Sequence, residues 1–101
     1  MKNLKKIPAE IESWKVPMQD LAENPGLIGI ALVDEILATI GNGFKYESFK
    51  RNSIERFFAY MDAFRTAIKF STMCELRIEE DTHSNYIFRL VDTANVRYVF
   101  E

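Results

Sequence analysis

The sequence predicts an α+β domain: two principal helices with short N-terminal helical turns, followed by a three-stranded antiparallel β-meander packed on the helices. Three observations carry this expectation. Apolar residues recur at helical spacing through residues 25–40 and 53–70, the period falls to two after Ser71, and short polar links punctuate the alternating part. The chain has 101 residues, 48% of them hydrophobic, which is enough for one core and too little for two, so residues 1–101 read as a single α+β domain.

The N-terminal segment reads as short helical pieces. Ile7, Ile11 and Trp14 share one helical face behind Pro8 in a first turn, and Val16-Pro17 ends that piece because the residue before proline is pushed out of the α region. Trp14 is expected to anchor the segment on the core. A second brief turn is expected over residues 17–23. Asn24-Pro25-Gly26 then opens the first long helix, with Asn24 as cap, Pro25 where a missing N–H costs nothing, and Gly41 stopping the element in a left-handed conformation. Ile30, Val33, Leu37 and Ile40 follow the helical period and Ile36 widens the stripe, leaving Ala31, Asp34, Glu35 and Ala38 on a narrower small-and-polar face. So wide an apolar face implies contact on more than one side, which makes helix 27–40 the candidate surface for a two-fold homodimer.

Asn42-Gly43 shapes the connection to a second helix over residues 53–70, with a turn expected around 47–51. Its stripe is Ile54, Phe57, Phe58, Met61, Phe64 and Ile68, a spacing that builds core, while Glu55, Asp62, Arg65, Thr66 and Lys69 occupy the remaining surface. Cys74, Leu76 and Ile78 then alternate with Met73, Glu75, Arg77 and Glu79; Tyr86, Phe88 and Leu90 alternate with Ile87, Arg89 and Val91; Val96, Tyr98 and Phe100 alternate with Arg97 and Val99. The links 81–85 and 92–95 are short and polar, so chain reversal at each would give the meander.

Composition narrows the chemistry. Thirteen Lys and Arg against fifteen Asp and Glu give a net charge of -2, which does not suit a general phosphate-backbone binder. With one Cys, Cys74, and one His, His83, neither an internal disulfide nor a conventional zinc site can form, and no cofactor or metal is implied. A reducing, cytoplasmic setting fits. Lys2, Lys5 and Lys6 are followed by more charge rather than by the apolar core of a secretory leader, and the apolar stretch 27–33 is broken by Asp34-Glu35 before it could span a membrane. Gly26, Gly29, Gly41 and Gly43 do not make a phosphate-binding fingerprint. Asp34 and Glu35, adjacent on a helix, point about 100° apart and form no facing carboxylate pair. His83 sits in a polar loop, and Cys74 shares an apolar face with Leu76 and Ile78, where a thiol acts as filler.

Two charged features remain. Arg77, Arg89 and Arg97 fall one per expected strand on the outward face, with Arg77 opposite Arg89 if Glu80 pairs with Tyr86, and Arg97 beside them if the next link reverses the chain. Like charges side by side call for compensating carboxylates, for which Glu75 and Glu79 are placed, or for an external acidic group. Phe49, Lys50 and Arg51, with Phe44, Lys45, Tyr46 and Arg56 around them, form a basic-aromatic segment. These features point to a non-enzymatic protein-interaction or regulatory module, an inhibitor or immunity-type factor binding an acidic protein surface through Arg77, Arg89, Arg97, Lys50, Arg51 and Phe49. Two alternatives stay open: a nucleic-acid-associated protein using the basic-aromatic patch, and a small enzyme using His83 or Asp34.

Overall fold

The computed structural model describes residues 4–41 and 53–100. In chain order they form β1 (Leu4–Pro17), α1 (Met18–Glu23), α2 (Pro25–Ile40), α3 (Ile54–Ser71), β2 (Cys74–Glu80) and β3 (Asn85–Phe100). The α+β class holds: two main helices pack against a three-stranded antiparallel sheet.

The helices form where their apolar period and end signals place them. Ser53, in extended conformation, accepts a hydrogen bond from the Arg56 backbone N–H at 3.1 Å and so satisfies one of the orphan donors at the start of α3. Asn24 stands at the corresponding position of α2, but its side chain makes no capping bond; Pro25 in the first turn and the Asn24 carbonyl, which accepts from Ile28 N–H, begin the helix instead. Gly41 does end α2, but at φ +91° and ψ -152° rather than in the left-handed helical conformation expected; this region is open to glycine and costly for a side-chain-bearing residue. The expected brief turn before Asn24 is α1, which buries Leu21 completely. The Asn42-Gly43 connection and the turn around 47–51 lie outside the described residues.

The sheet contains three strands, but not the three successive ones expected. Its order is β1-β3-β2, with β3 in the centre and antiparallel to both neighbours. Residues 4–17, read as helical, are instead an edge strand. Pro8 and Pro17 are tolerated there because an edge strand has one side on which no ladder hydrogen bond is needed. The two strands expected over 86–91 and 96–100 are one. Asp92 does make the turn contacts its link suggested, accepting from Ala94 N–H at 2.9 Å and from the Asn95 side-chain amide at 2.6 Å. The chain bulges rather than reverses: across from the Pro8/Ala9 step, Asp92 pairs with Ala9 and Val96 with Pro8, leaving Thr93, Ala94 and Asn95 looped out between them. Thr93 fastens the bulge by donating both its N–H and its hydroxyl to the Met73 carbonyl at 2.8 Å.

One sheet face carries the core. Phe57, Met61, Phe64 and Ile68 of α3 bury fully against Leu76 of β2 and Phe88 of β3, with Leu21 and Ile36 joining from the N-terminal helices. Phe57 is the hub: its ring meets Phe58 edge-on at 5.1 Å and Phe88 edge-on at 6.0 Å, while Phe58 in turn meets Tyr86 at 5.2 Å. Half-buried Trp14 and Cys74 pack on the margin of this cluster, as anchor and filler respectively.

Candidate functional site

The opposite sheet face is charged. Arg77 and Arg89 are direct cross-strand partners, because Glu80 does pair with Tyr86. Both guanidinium groups have carboxylates of the same face to hand. Arg89 donates from Nε to both Glu79 oxygens, at 2.9 and 3.2 Å, and from Nη1 to Glu10 Oε1 at 2.6 Å; Arg77 donates from Nε to Glu75 Oε1 at 3.3 Å. The hydrogen bonds to Glu10 and then to Glu79, with the charge of Glu79 behind them, hold the Arg89 guanidinium above its ordinary pKa. Glu10 belongs to β1, so a further compensating carboxylate, beyond the expected Glu75 and Glu79, comes from the far end of the chain. This is an internally paired lattice, and a partner carboxylate approaching Arg89 must compete with two resident ones.

Arg97 does not join the row. It lies on the same strand as Arg89, beyond the bulge, and pairs across the ladder with Ile7. Its side chain lies outside the described part of the structure. Phe49, Lys50 and Arg51, with Phe44, Lys45 and Tyr46, also lie outside the described residues.

His83 occupies the tip of the β2–β3 hairpin. The loop is organised by Asp81, whose Oδ1 accepts from the backbone N–H of His83 at 2.8 Å and of Asn85 at 2.9 Å, and whose Oδ2 accepts from the Asn85 amide at 3.0 Å. The Asn85 side chain above all, helped by the two N–H groups, holds the Asp81 carboxyl below the ordinary range against the opposing effect of desolvation. Ser84 takes φ 61° so that the turn can close. The His83 ring itself is exposed, 3.3 Å from the Thr82 hydroxyl. Asp34 and Glu35 are exposed on α2. Among the described residues no three His, Cys, Asp or Glu side chains are grouped to hold a metal ion, no polar or charged residue is buried, and no helix is long and apolar enough to cross a membrane.

The exposed apolar surface lies elsewhere. β2 pairs with β3 only as far as Asp92, so beyond the bulge the sheet narrows to a two-stranded arm, residues 4–8 against 96–100. Leu4 faces Phe100 and Lys6 faces Tyr98 across this arm, and Leu4, Tyr98 and Phe100 are 56%, 58% and 70% exposed. The arm helps stretch the molecule to 50 × 35 × 18 Å, with a radius of gyration of 14.9 Å against about 13 Å for a compact chain of this length.

A second exposed stripe runs along α2. Gly29, Leu32, Val33 and Ile36 face inward, whereas Leu27, Ile30, Ala31, Asp34 and Ala38 face solvent, Leu27 at 72% and Ile30 at 42% exposure. Beside it, a groove of about 210 Å³ runs between α2 and β1, floored by Trp14, Val16, Ile28 and Leu32. Of the apolar stripe expected on this helix, Val33 and Ile36 are consumed by the core, Leu37 and Ile40 are half-buried, and Ile30 is left exposed.

The chain matches no family model, no curated protein and no solved structure. Function therefore rests on these surfaces. The arm was missed by sequence reasoning because its exposure depends on where β2 stops, which Val96, Tyr98 and Phe100 do not record; the only local signal was three aromatic or branched residues alternating at the end of a strand otherwise covered.

Proposed function

We propose that this chain is a non-enzymatic protein-interaction module, of the inhibitor or immunity-factor type, that engages a partner's apolar surface rimmed with acidic groups through the β1–β3 arm. The observation that carries this reading is the arm itself. A two-stranded ribbon is marginally stable alone, yet this one presents Leu4, Tyr98 and Phe100 to solvent, and among the described residues no third strand pairs with it. Aromatic residues beside cations make effective contact surfaces because the rings bring large apolar area at little entropy cost. Residues 4–8 and 96–100 contain no acid, and Lys6 shares the ribbon face of Leu4, Tyr98 and Phe100, so the complementary surface is acidic. The weight thus moves from the Arg77–Arg89 face, whose guanidinium groups are already paired, to the arm. An enzyme built on His83 or Asp34 has less support: both residues are exposed, and neither lines the groove between α2 and β1. The single thiol suits a reducing cytoplasm. Self-association through α2 belongs to the same interaction reading, since Leu27 and Ile30 remain uncovered.

The test is a titrated capture experiment comparing the wild-type chain with a Tyr98→Ser, Phe100→Ser variant, each with and without nuclease treatment. A saturable protein complex, with another protein or with a second copy, should survive nuclease and weaken by about tenfold or more in the arm variant. Loss on nuclease treatment moves the reading to nucleic acid. A complex indifferent to the arm variant refutes it.

A further inference from the structure

Resting on the arm as contact surface, we propose that its seat is a second copy of this chain: the groove between β1 and α2, together with the exposed α2 stripe, receives the arm of a two-fold partner. The two surfaces are opposite in charge and alike in apolar content. On the seat Asp34 stands exposed on α2 and residues 18–41 contain no Lys or Arg, whereas on the arm Lys6 shares the ribbon face of Leu4, Tyr98 and Phe100 and residues 4–8 and 96–100 contain no acid. Leu27 and Ile30 stand exposed on the stripe, Ala31 leaves room for a ring to approach the helix, and Glu35 lines the groove. Lys15, also on the groove, is the one cation there among the described residues, so the seat favours a cationic visitor mainly from the α2 side.

The contact has to form between copies. Arm and groove are on the same strand, Lys6 in one and Trp14 in the other, separated by eight residues of extended chain or roughly 25 Å. A straight strand cannot bring its own arm back over that distance. Two chains laid antiparallel along β1 can, because the spacing from arm to groove is identical in both, and each arm then reaches the other's groove. The arrangement closes on itself with two equivalent contacts and leaves no unmatched arm to propagate a filament.

Three alternatives are separated by one set of variants at exposed positions: Phe100→Lys in the arm, Ala31→Arg in the seat, and an equimolar mixture of the two. Light scattering and sedimentation over a micromolar concentration series read the association, and circular dichroism verifies that each variant is folded. The reciprocal dimer requires that either variant alone shifts the dimer midpoint upward by about tenfold or more. Mixing should restore association, since the intact arm of one variant meets the intact seat of the other. A dimer through α2 alone would survive Phe100→Lys, and a dimer through paired arms would survive Ala31→Arg; either result overturns the proposal. If one variant fails to fold, Lys6→Glu and Asp34→Lys take the two places and carry the same prediction through charge. A wild-type monomer throughout also overturns it. Should that monomer still capture another protein in an arm-dependent way, the interaction reading stands and only the second copy is excluded; capture indifferent to the arm removes both.

Discussion

Replacing Phe57 and Phe70 by Ala, one at a time, places the same chemical change at two positions of one helix with opposite surroundings. Phe57 is fully buried, with ring contacts to Phe58 and Phe88, while Phe70 is 86% exposed near the end of α3. Deleting a buried ring removes its transfer free energy and leaves a cavity, a loss of about 3–5 kcal/mol. Deleting an exposed ring leaves stability within about 0.5 kcal/mol of wild type, and the better helix propensity of Ala nudges it upward. A chain of this length is stabilised by roughly 5–15 kcal/mol in total, so Phe57→Ala should lower Tm by about 12 °C or more, whereas Phe70→Ala should scarcely move it. Urea unfolding followed through Trp14, the only tryptophan, reports on the sheet rather than on the mutated helix. Helix circular dichroism on the same samples checks that the transition is cooperative. Equal losses at the two positions would refute the assignment of Phe57 as the hub of the core.

Two further outcomes follow from the charged residues. Arg89→Ala should leave the fold intact, move the urea midpoint no more than an ordinary surface substitution, and leave arm-dependent binding unchanged, because the guanidinium is occupied by Glu10 and Glu79 at the surface; a tenfold loss of affinity would instead make Arg89 an anchor. Acid should weaken the two turns. Asp81 is held below the ordinary range chiefly by Asn85, and Asp92 by the Asn95 side chain and the Ala94 N–H, so each contributes stability that is complete above the unfolded aspartate value of about 3.9 and is lost as pH falls through the lower folded value. Stability followed from pH 6 downward should therefore fall less steeply in an Asp81→Asn, Asp92→Asn variant, with both read against wild type in the same titration; an acid limb as steep as that of wild type would count against the two turns.

What the sequence showed and what it hid divide along the range of the interactions involved. α2 and α3 were legible because their breakers and apolar spacing lie within the segment: Pro25 and Gly41 bound α2, and Phe57, Met61, Phe64 and Ile68 of α3 fall inward as their period requires, although the cap expected at Asn24 does not form. The Arg77–Arg89 pairing was legible because a short hairpin fixes it. β1 was not. Ile7, Ile11 and Trp14 are spaced four and three apart, which imitates a helix, and the register shift between Glu10 and Glu12 interrupts the alternation that would have betrayed a strand. The local chemistry of residues 92–95 was real, yet whether a turn reverses the chain or only bulges it was decided by β1, more than 80 residues away. The candidate site suffered most, since an exposed arm is defined by the strand that fails to cover it.

The central place of β3 has a consequence for how the chain is made. Among the described elements β1 emerges first and its sheet neighbour β3 emerges last, with residues 18–84 between them. At about 5–20 residues per second, roughly 3–13 s pass during synthesis before Pro17 can find Asn85. For that interval β1 is an unpaired edge with Trp14 uncovered. Its prolines, its three lysines and its register shifts are the features that discourage a waiting strand from pairing with the wrong neighbour, so the irregularities that disguised β1 in the sequence also protect it until its partner arrives.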